Sequence, residues 1–251
     1  MRSVESVCGW QIQPSSPSVQ QCLEEALAKL CGGPVPVTGA GRTDTGVHAA
    51  DYVCHFDLTG NLPFGASDFC YKLNAILPRS IVVHAVLPTT DDFHARFSAT
   101  QRSYTYFIHR KKDPFVAAYS WQCGFPDLDF DAMNEACQYL LGEHDFSCFE
   151  KVGGANKTSL CTITEAFWKP YTPSLYTVIQ NEAKESQYWY FRVSADRFLR
   201  NMVRAIVGTL IEVGRRKHDP TWVKELIETG TRGDAGESVP GHALFLSKVN
   251  Y

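Results

Sequence analysis

The residues of this chain best suited to chemistry lie between Val37 and His48, in the string Val-Thr-Gly-Ala-Gly-Arg-Thr-Asp-Thr-Gly-Val-His. Gly39 and Gly41 precede an Arg42-Thr43-Asp44 triplet, and Gly46 follows it. Glycines at this spacing let backbone approach backbone or ligand closely and supply conformations that a Cβ forbids. A carboxylate beside a guanidinium is favoured in its anionic form, a setting for a nucleophile or a base. A surface salt bridge has the same composition, so local chemistry leaves both readings open. A second group of candidates is cationic. Arg197, Arg200 and Arg204 are spaced three and four apart, and on one helix they would share a face. With Arg192, Arg215, Arg216 and Lys217 they make seven cations between residues 190 and 220, against Asp196, Glu212 and Asp219. Such arginines can contact successive phosphates, and one can pair with a carboxylate. A solvated helix face is the competing explanation.

The elements that must position these residues follow from periodicity. Ser18 and Gln21 form a capping box ahead of an apolar stripe, Cys22, Leu23, Ala26, Leu27 and Leu30, which Gly32-Gly33-Pro34 stops. Val35 and Val37 lead a strand into the glycine loop, and Tyr52–Phe56 reads as a second strand. A helix is expected over residues 67–77, halted by Pro78, then a β-branched strand over Ile81–Leu87. Ser103–Ile108 alternates, placing Tyr104, Tyr106 and Ile108 on one face; taken alone, the two tyrosines are a packing pair. The pattern then restarts. A helix is expected over residues 131–141 and strands over 161–168, 175–180 and 187–194. A long helix over Arg197–Val213 and a shorter one from Asp219-Pro220 to Gly230 follow, with a last strand over Ala243–Val249. The fold class expected is α+β: two similar-sized sandwich-like halves, residues 1–110 and 111–251, with mainly antiparallel sheets.

Composition narrows the function classes. A chain of 251 residues, 44% hydrophobic and 20% charged, is an ordinary globular protein with room for a substantial core. No run approaches the ~20 apolar residues of a membrane span, and Met1–Ser6 lacks the apolar core of a signal peptide, so a cytoplasmic location is expected. Nine cysteines with no Cys-x-x-Cys, and eight histidines with no His-x-x-x-His, support neither a disulfide framework nor a metal site. A net charge of -3 argues against indiscriminate nucleic-acid binding but permits a local basic patch.

As a string, Gly39-Ala40-Gly41-Arg42-Thr43-Asp44-Thr45-Gly46-Val47-His48-Ala49 resembles the signature of the tRNA pseudouridine synthase A family, with Thr45 where the family has Ala. Other motifs follow in the family's order. They are Gly9-Trp10-Gln11-x-Gln13-Pro14, then Phe93-x-Ala95-Arg96-Phe97-Ser98-Ala99, Arg102-x-Tyr104-x-Tyr106, and His144-Asp145-Phe146-Ser147. A long match over Phe198–Gly214 and a closing Ala243-Leu244-Phe245-Leu246 with Val249 and Tyr251 complete it. There are departures. The family's first strand ends in Tyr-Asp-Gly, which Met1–Val7 does not show; Gly241-His242 alters the approach to the last strand; Cys161 stands where an arginine is common.

The resemblance implies isomerisation of uridine to pseudouridine in tRNA, at positions 38 to 40 of the anticodon stem-loop. It implies the pseudouridine synthase fold, whose halves meet at a central basic cleft, and a homodimer, with no cofactor or metal. It implies Asp44 as nucleophile, Tyr104 stacking on the base and assisting loss of the C5 proton, and Arg204 paired with the aspartate. Arg42, Arg197 and Arg200 are the RNA-binding candidates beside them. Attack at C1′, attack at C6 and ribose deprotonation are all open routes. A catalytically silent relative would need Asp44, Tyr104 or Arg204 altered, and all three are present. A phosphate loop built on Gly39-x-Gly41 lacks the third glycine and any Gly-Lys-Ser/Thr. A family member acting on other tRNA sites or other RNAs remains open.

Overall fold

The computed structural model describes residues 7–14, 16–151, 153, 157–179 and 187–251. Most of the short N-terminal stretch in which no first strand could be read, Met1–Ser6, lies outside them, as do Gln180 and residues 181–186. The chain divides into two compact units, residues 1–46, 52–99 and 251, and residues 47–51 and 100–250.

In the first unit, α1 (Val19–Cys31) starts where Ser18 Oγ accepts the Gln21 N–H at 3.2 Å and ends at Gly32, whose φ of 76° is left-handed. The box is half formed, because the Gln21 side chain donates to Glu25 at 2.9 Å instead of reaching back. Leu23, Ala26 and Leu27 turn inward against α2 (Ala66–Ile76), which contributes Phe69 and Leu73 and stops before Pro78. The glycine loop enters from β1 (Thr38–Gly39), antiparallel to β3 (Cys54–His55). Trp10, Val35, Val37 and Leu77 complete the core. The strand expected over Ile81–Leu87 is not one. Val83 exchanges its N–H and C=O with the Asn74 side-chain amide at 2.8 and 2.7 Å, so a helix side chain occupies the hydrogen bonds a neighbouring strand would need. Ile81, Val83 and Val86 still pack on the core.

The second unit is built on one sheet. Its strands are β2 (His48–Ala49), β4 (Gln101–His109), β5 (Trp121–Gln122), β6 (Gly142–Asp145), β7 (Leu160–Pro170), β8 (Tyr188–Ala195) and β9 (Leu244–Asn250). Their order is β2-β9-β4-β8-β7-β6, with β5 added parallel to β4. The long pairings, β9 to β4, β4 to β8, β8 to β7 and β7 to β6, are antiparallel, so the molecule is α+β with mainly antiparallel sheet. Tyr106, Ile108, Phe191, Val193, Ala166 and Trp168 form a single core with α3 (Phe130–Gln138), α5 (Met202–Gly214) and α6 (Trp222–Thr229). The strand β4, at the end of the residue 1–110 half drawn from sequence, pairs on both sides within this unit. Among the described residues no helix is long and apolar enough to cross a membrane.

Two expectations in this unit are corrected. The segment read as a strand over residues 175–180 is a short helix, α4 (Ser174–Ile179), as far as it is described. Its β-branched residues follow Pro173, whose carbonyl accepts the Tyr176 N–H at 2.9 Å and starts a helical turn. The long helix also begins later, at Met202 in place of Arg197, because Asn201 sits at φ 65° and interrupts helical winding.

Asp113 ties these pieces together. It is buried and accepts hydrogen bonds from the hydroxyls of Tyr176 and Tyr188, each at 2.6 Å, and from the Phe115 N–H at 2.9 Å. Burial by itself raises the carboxyl's pKa, but these hydrogen bonds outweigh it and hold Asp113 below the ordinary carboxylate value. A folded pKa below the unfolded one gives stability that is complete above the unfolded value and lost as pH falls through the folded one. Asp113→Ala removes the acceptor of two tyrosine hydroxyls and is expected to cost about 2–3 kcal/mol at pH 7. That is a melting-temperature drop of ~4–12 °C for a chain of this size. Melts at pH 7 and under acid conditions check the assignment: the gap between wild type and variant narrows in acid. An equal gap at both pH values assigns the stability to something other than the carboxylate.

Candidate active site

The Gly39–Gly46 loop is pinned from within its own unit. Ala40 N–H donates to the Val53 carbonyl at 2.9 Å, the Trp10 N–H donates to the Thr43 carbonyl at 3.2 Å, and the Tyr52 hydroxyl donates to the Gly41 carbonyl. The rings of Trp10 and Tyr52 lie 4.4 Å apart and close over Gly39. A Cβ at Gly39 would overlap the Tyr52 hydroxyl and the Trp10 indole, so this glycine is needed for close approach. Gly9 is needed for conformation as well, having φ 70° with the Thr43 carbonyl 2.6 Å from where its Cβ would be. The result is a carboxylate, Asp44, half-buried on a backbone held at three points, with Arg42 exposed two residues before it. A fixed backbone is what positions a nucleophile or base without an entropic cost at each turnover. Trp10 and Tyr52, which do the fixing, were not singled out as site residues from sequence. The only signal was their place in the Gly9-Trp10 motif and the Tyr52–Phe56 run.

The signature continues into the second unit. His48 pairs within β2, and its Nε2 donates to the His242 carbonyl at 3.1 Å while its ring stacks on Phe245 at 4.6 Å. Burial lowers the His48 pKa.

Tyr104 lies on β4, opposite Val193 of β8 and Leu246 of β9. The β9 register shifts between Ser103 and Tyr104, leaving Ser247 as an extra residue whose hydroxyl donates to the Ser103 carbonyl at 3.0 Å. A bulge of this kind bends the strand and re-aims the adjacent side chain. The Tyr104 ring meets Phe198 edge-on at 5.0 Å.

The cationic stripe is rearranged by the late helix start. Only Arg204 lies in α5; Arg197 and Arg200 belong to the irregular approach, and the three do not share a helical face. The approach has its own supports. The Asp196 carboxylate accepts the Arg197 and Thr162 N–H groups at 2.7 and 2.8 Å, and the Arg200 carbonyl accepts the Lys151 N–H at 3.0 Å. Asn201 Nδ2 donates to Ser238 Oγ at 2.6 Å, and Arg204 Nε donates to the Val239 carbonyl at 2.7 Å. Arg204 is thus held at one edge of its guanidinium, and Arg200 is exposed. Behind Arg204, Gly208 meets the Glu237 carbonyl, and Gly236 N–H donates to Thr209 Oγ1 at 3.0 Å, which fixes residues 236–239 against α5.

Among the described residues no group of three or more His, Cys, Asp and Glu side chains is placed to hold a metal ion. Burial pushes the Cys54 thiol up to about 11 and those of Cys148 and Cys161 up to about 12, so none of these is a ready thiolate nucleophile.

The family described as tRNA pseudouridine synthase matches residues 136–251. The chain is 47% identical over 247 residues to tRNA pseudouridine synthase A of Parabacteroides distasonis, covering 97% of this chain and 90% of that one. It is 45% identical to tRNA pseudouridine synthase A of Porphyromonas gingivalis, covering 97% and 91%. With tRNA pseudouridine synthase A 2 of Clostridium perfringens it shares 40% identity, covering 98% and 95%. Identity at this level, running through both compact units and the pinned aspartate loop, makes this chain a member of the tRNA pseudouridine synthase family of isomerases.

Proposed function

We propose that this chain converts uridine to pseudouridine in the anticodon stem-loop of tRNA, at positions 38 to 40. It would act as a cytoplasmic homodimer, without metal or cofactor, and the halves 1–110 and 111–251 read from sequence would meet at a basic cleft. The observation that carries the reading is the near-complete match to proteins named tRNA pseudouridine synthase A. The pinned Asp44 loop supports it, since a carboxylate suits this isomerisation by attacking C1′ or C6 or taking a ribose proton.

The reaction breaks the C1′–N1 bond, turns the base, and forms C1′–C5. The proton on C5 leaves, N1 gains one, and atoms and electrons balance with no donor or oxidant. Asp44 takes the nucleophile's role, by attack at C1′ or C6 or by removing a ribose proton. Tyr104 stacks on the base and assists loss of the C5 proton, a role that suits a ring already braced edge-on by Phe198. Arg204, whose Nε donates to the Val239 carbonyl, pairs with the aspartate. Arg42, Arg197 and Arg200 contact phosphates. Extruding a stacked uridine costs a few kcal/mol, offset by aromatic stacking and phosphate contacts.

Release of tritium from tRNA labelled at uridine C5 tests the reading, one equivalent being expected per converted base. Absence of release from every tRNA offered contradicts it, and release from uridines outside the anticodon region moves the target but keeps the chemistry. The phosphate role has its own test. Arg200→Ala is expected to weaken binding to all tRNA sequences alike and to lower the salt slope of log K by about one. An unchanged slope removes Arg200 from the backbone contacts.

A further inference from the structure

The motif Phe93–Ala99 has no part in the chemistry above, yet it builds a rigid turn whose tip is an exposed aromatic ring. Ala95 is fully buried, its N–H donating to His55 Nδ1 at 3.1 Å and its carbonyl accepting the Tyr251 hydroxyl at 2.7 Å. Ser98 closes the turn, its N–H donating to the His94 carbonyl at 2.8 Å and its Oγ accepting the His94 N–H at 3.0 Å. His94 Nδ1 accepts the N–H groups of both Arg96 and Phe97, at 3.1 and 3.2 Å. Six hydrogen bonds thus fix a five-residue turn, and Phe97 at its tip remains 76% exposed. The His94 ring lies 4.3 Å from the Phe97 ring, and the Arg96 guanidinium lies 5.5 Å from its centroid.

Packing does not explain this arrangement. A side chain with three-quarters of its surface in water gains little from burial, whereas the backbone that presents it is over-determined. A rigid aromatic flanked by a guanidinium matches one ligand chemistry closely. A nucleobase stacks on the ring at little conformational cost, and the cation serves the adjoining phosphate or adds to the stack.

We propose that Phe97 and Arg96 form a base-stacking contact for the RNA substrate, in which an unpaired or extruded base of tRNA lies on the Phe97 ring beside the Arg96 guanidinium. This rests on the tRNA reading of the preceding subsection and adds to it a binding residue apart from the aspartate loop.

The test compares tRNA affinity, at several salt concentrations, and turnover for the unaltered chain, Phe97→Ala and Phe97→Trp. Phe97→Ala is expected to weaken tRNA binding about tenfold, the loss of one base stack, with the salt slope unchanged because no charge is removed. Phe97→Trp is expected to restore affinity to at least the wild-type value, since the larger ring stacks as well. Melting temperatures check that both variants fold, as the exposure of the side chain leads one to expect. Binding by Phe97→Ala within twofold of wild type, or failure of Phe97→Trp to rescue a folded protein, overturns the contact while leaving the tRNA reading intact. No tRNA binding or conversion by the unaltered chain overturns both.

Discussion

Asp44→Asn is expected to abolish uridine isomerisation while tRNA affinity stays within about twofold of wild type. The substitution removes a negative charge and almost no volume, so the loop held by Thr43, Gly41 and Ala40 backbone contacts keeps its shape. Asparagine can neither attack carbon nor accept a proton at the pH of the reaction. Loss of a general base costs ~10²–10⁴-fold, and loss of a nucleophile typically more. A residual rate above about one hundredth of wild type, outside that expected range, excludes Asp44 from the chemistry. Single-turnover rates with saturating protein separate this from weakened binding, and a melting curve separates it from misfolding. A loop mutation that disturbs Gly39 instead should raise KM and lower kcat together, because the Trp10–Tyr52 clamp would open.

Gly208→Ala is expected to destabilise the protein, by about 2–3 kcal/mol, which is the opposite of what helix propensity dictates. In an exposed helix interior the same change stabilises by up to ~1 kcal/mol. Here the added Cβ would run into the Glu237 carbonyl, with Gly236 crowding Thr209 from the same segment. Neither neighbour is a flexible side-chain end, so the backbone of residues 236–239 must shift, at the ~1–3 kcal/mol typical of overpacking. At ~2–4 °C per kcal/mol for a chain of this size, the melting temperature falls by ~4–12 °C. The shift has a functional consequence as well, because Val239 holds Arg204 Nε at 2.7 Å. Turnover should therefore fall more than stability alone explains when measured well below the melting temperature. An unchanged or raised melting temperature would mean that the segment yields freely and does not position Arg204.

These two residues also mark what could be read from sequence and what could not. Asp44 stood out because Gly39, Gly41 and Arg42 surround it within six positions, so a local string carried the information. Gly208 carries none locally; its need arises from Glu237, 29 residues away. The same division runs through the fold. Ser18 and Gly32 announced α1 correctly because caps are local, and β4 was legible from alternation. The two-residue strands β2 and β5 were not, since their only evidence is pairing with β9 and β4. Ile81–Leu87 had the composition of a strand and lost its hydrogen bonds to Asn74, a side chain no β-pattern anticipates. The arginine stripe is the most instructive failure. Arg197, Arg200 and Arg204 have helical spacing, but Asn201, with its side chain fixed by Ser238, takes a left-handed conformation between them. Asparagine tolerates that region better than other residues with a Cβ, which in hindsight was the available signal.

One measurement tests the proposed reaction most directly. An unmodified tRNA transcript bearing uridines at positions 38 to 40 is incubated with the purified chain and no metal or cofactor, and pseudouridine is mapped base by base. Conversion confined to the anticodon stem-loop, and absent with Asp44→Asn, is the predicted result. A transcript bound tightly by the wild-type chain but left unconverted at every position would contradict it.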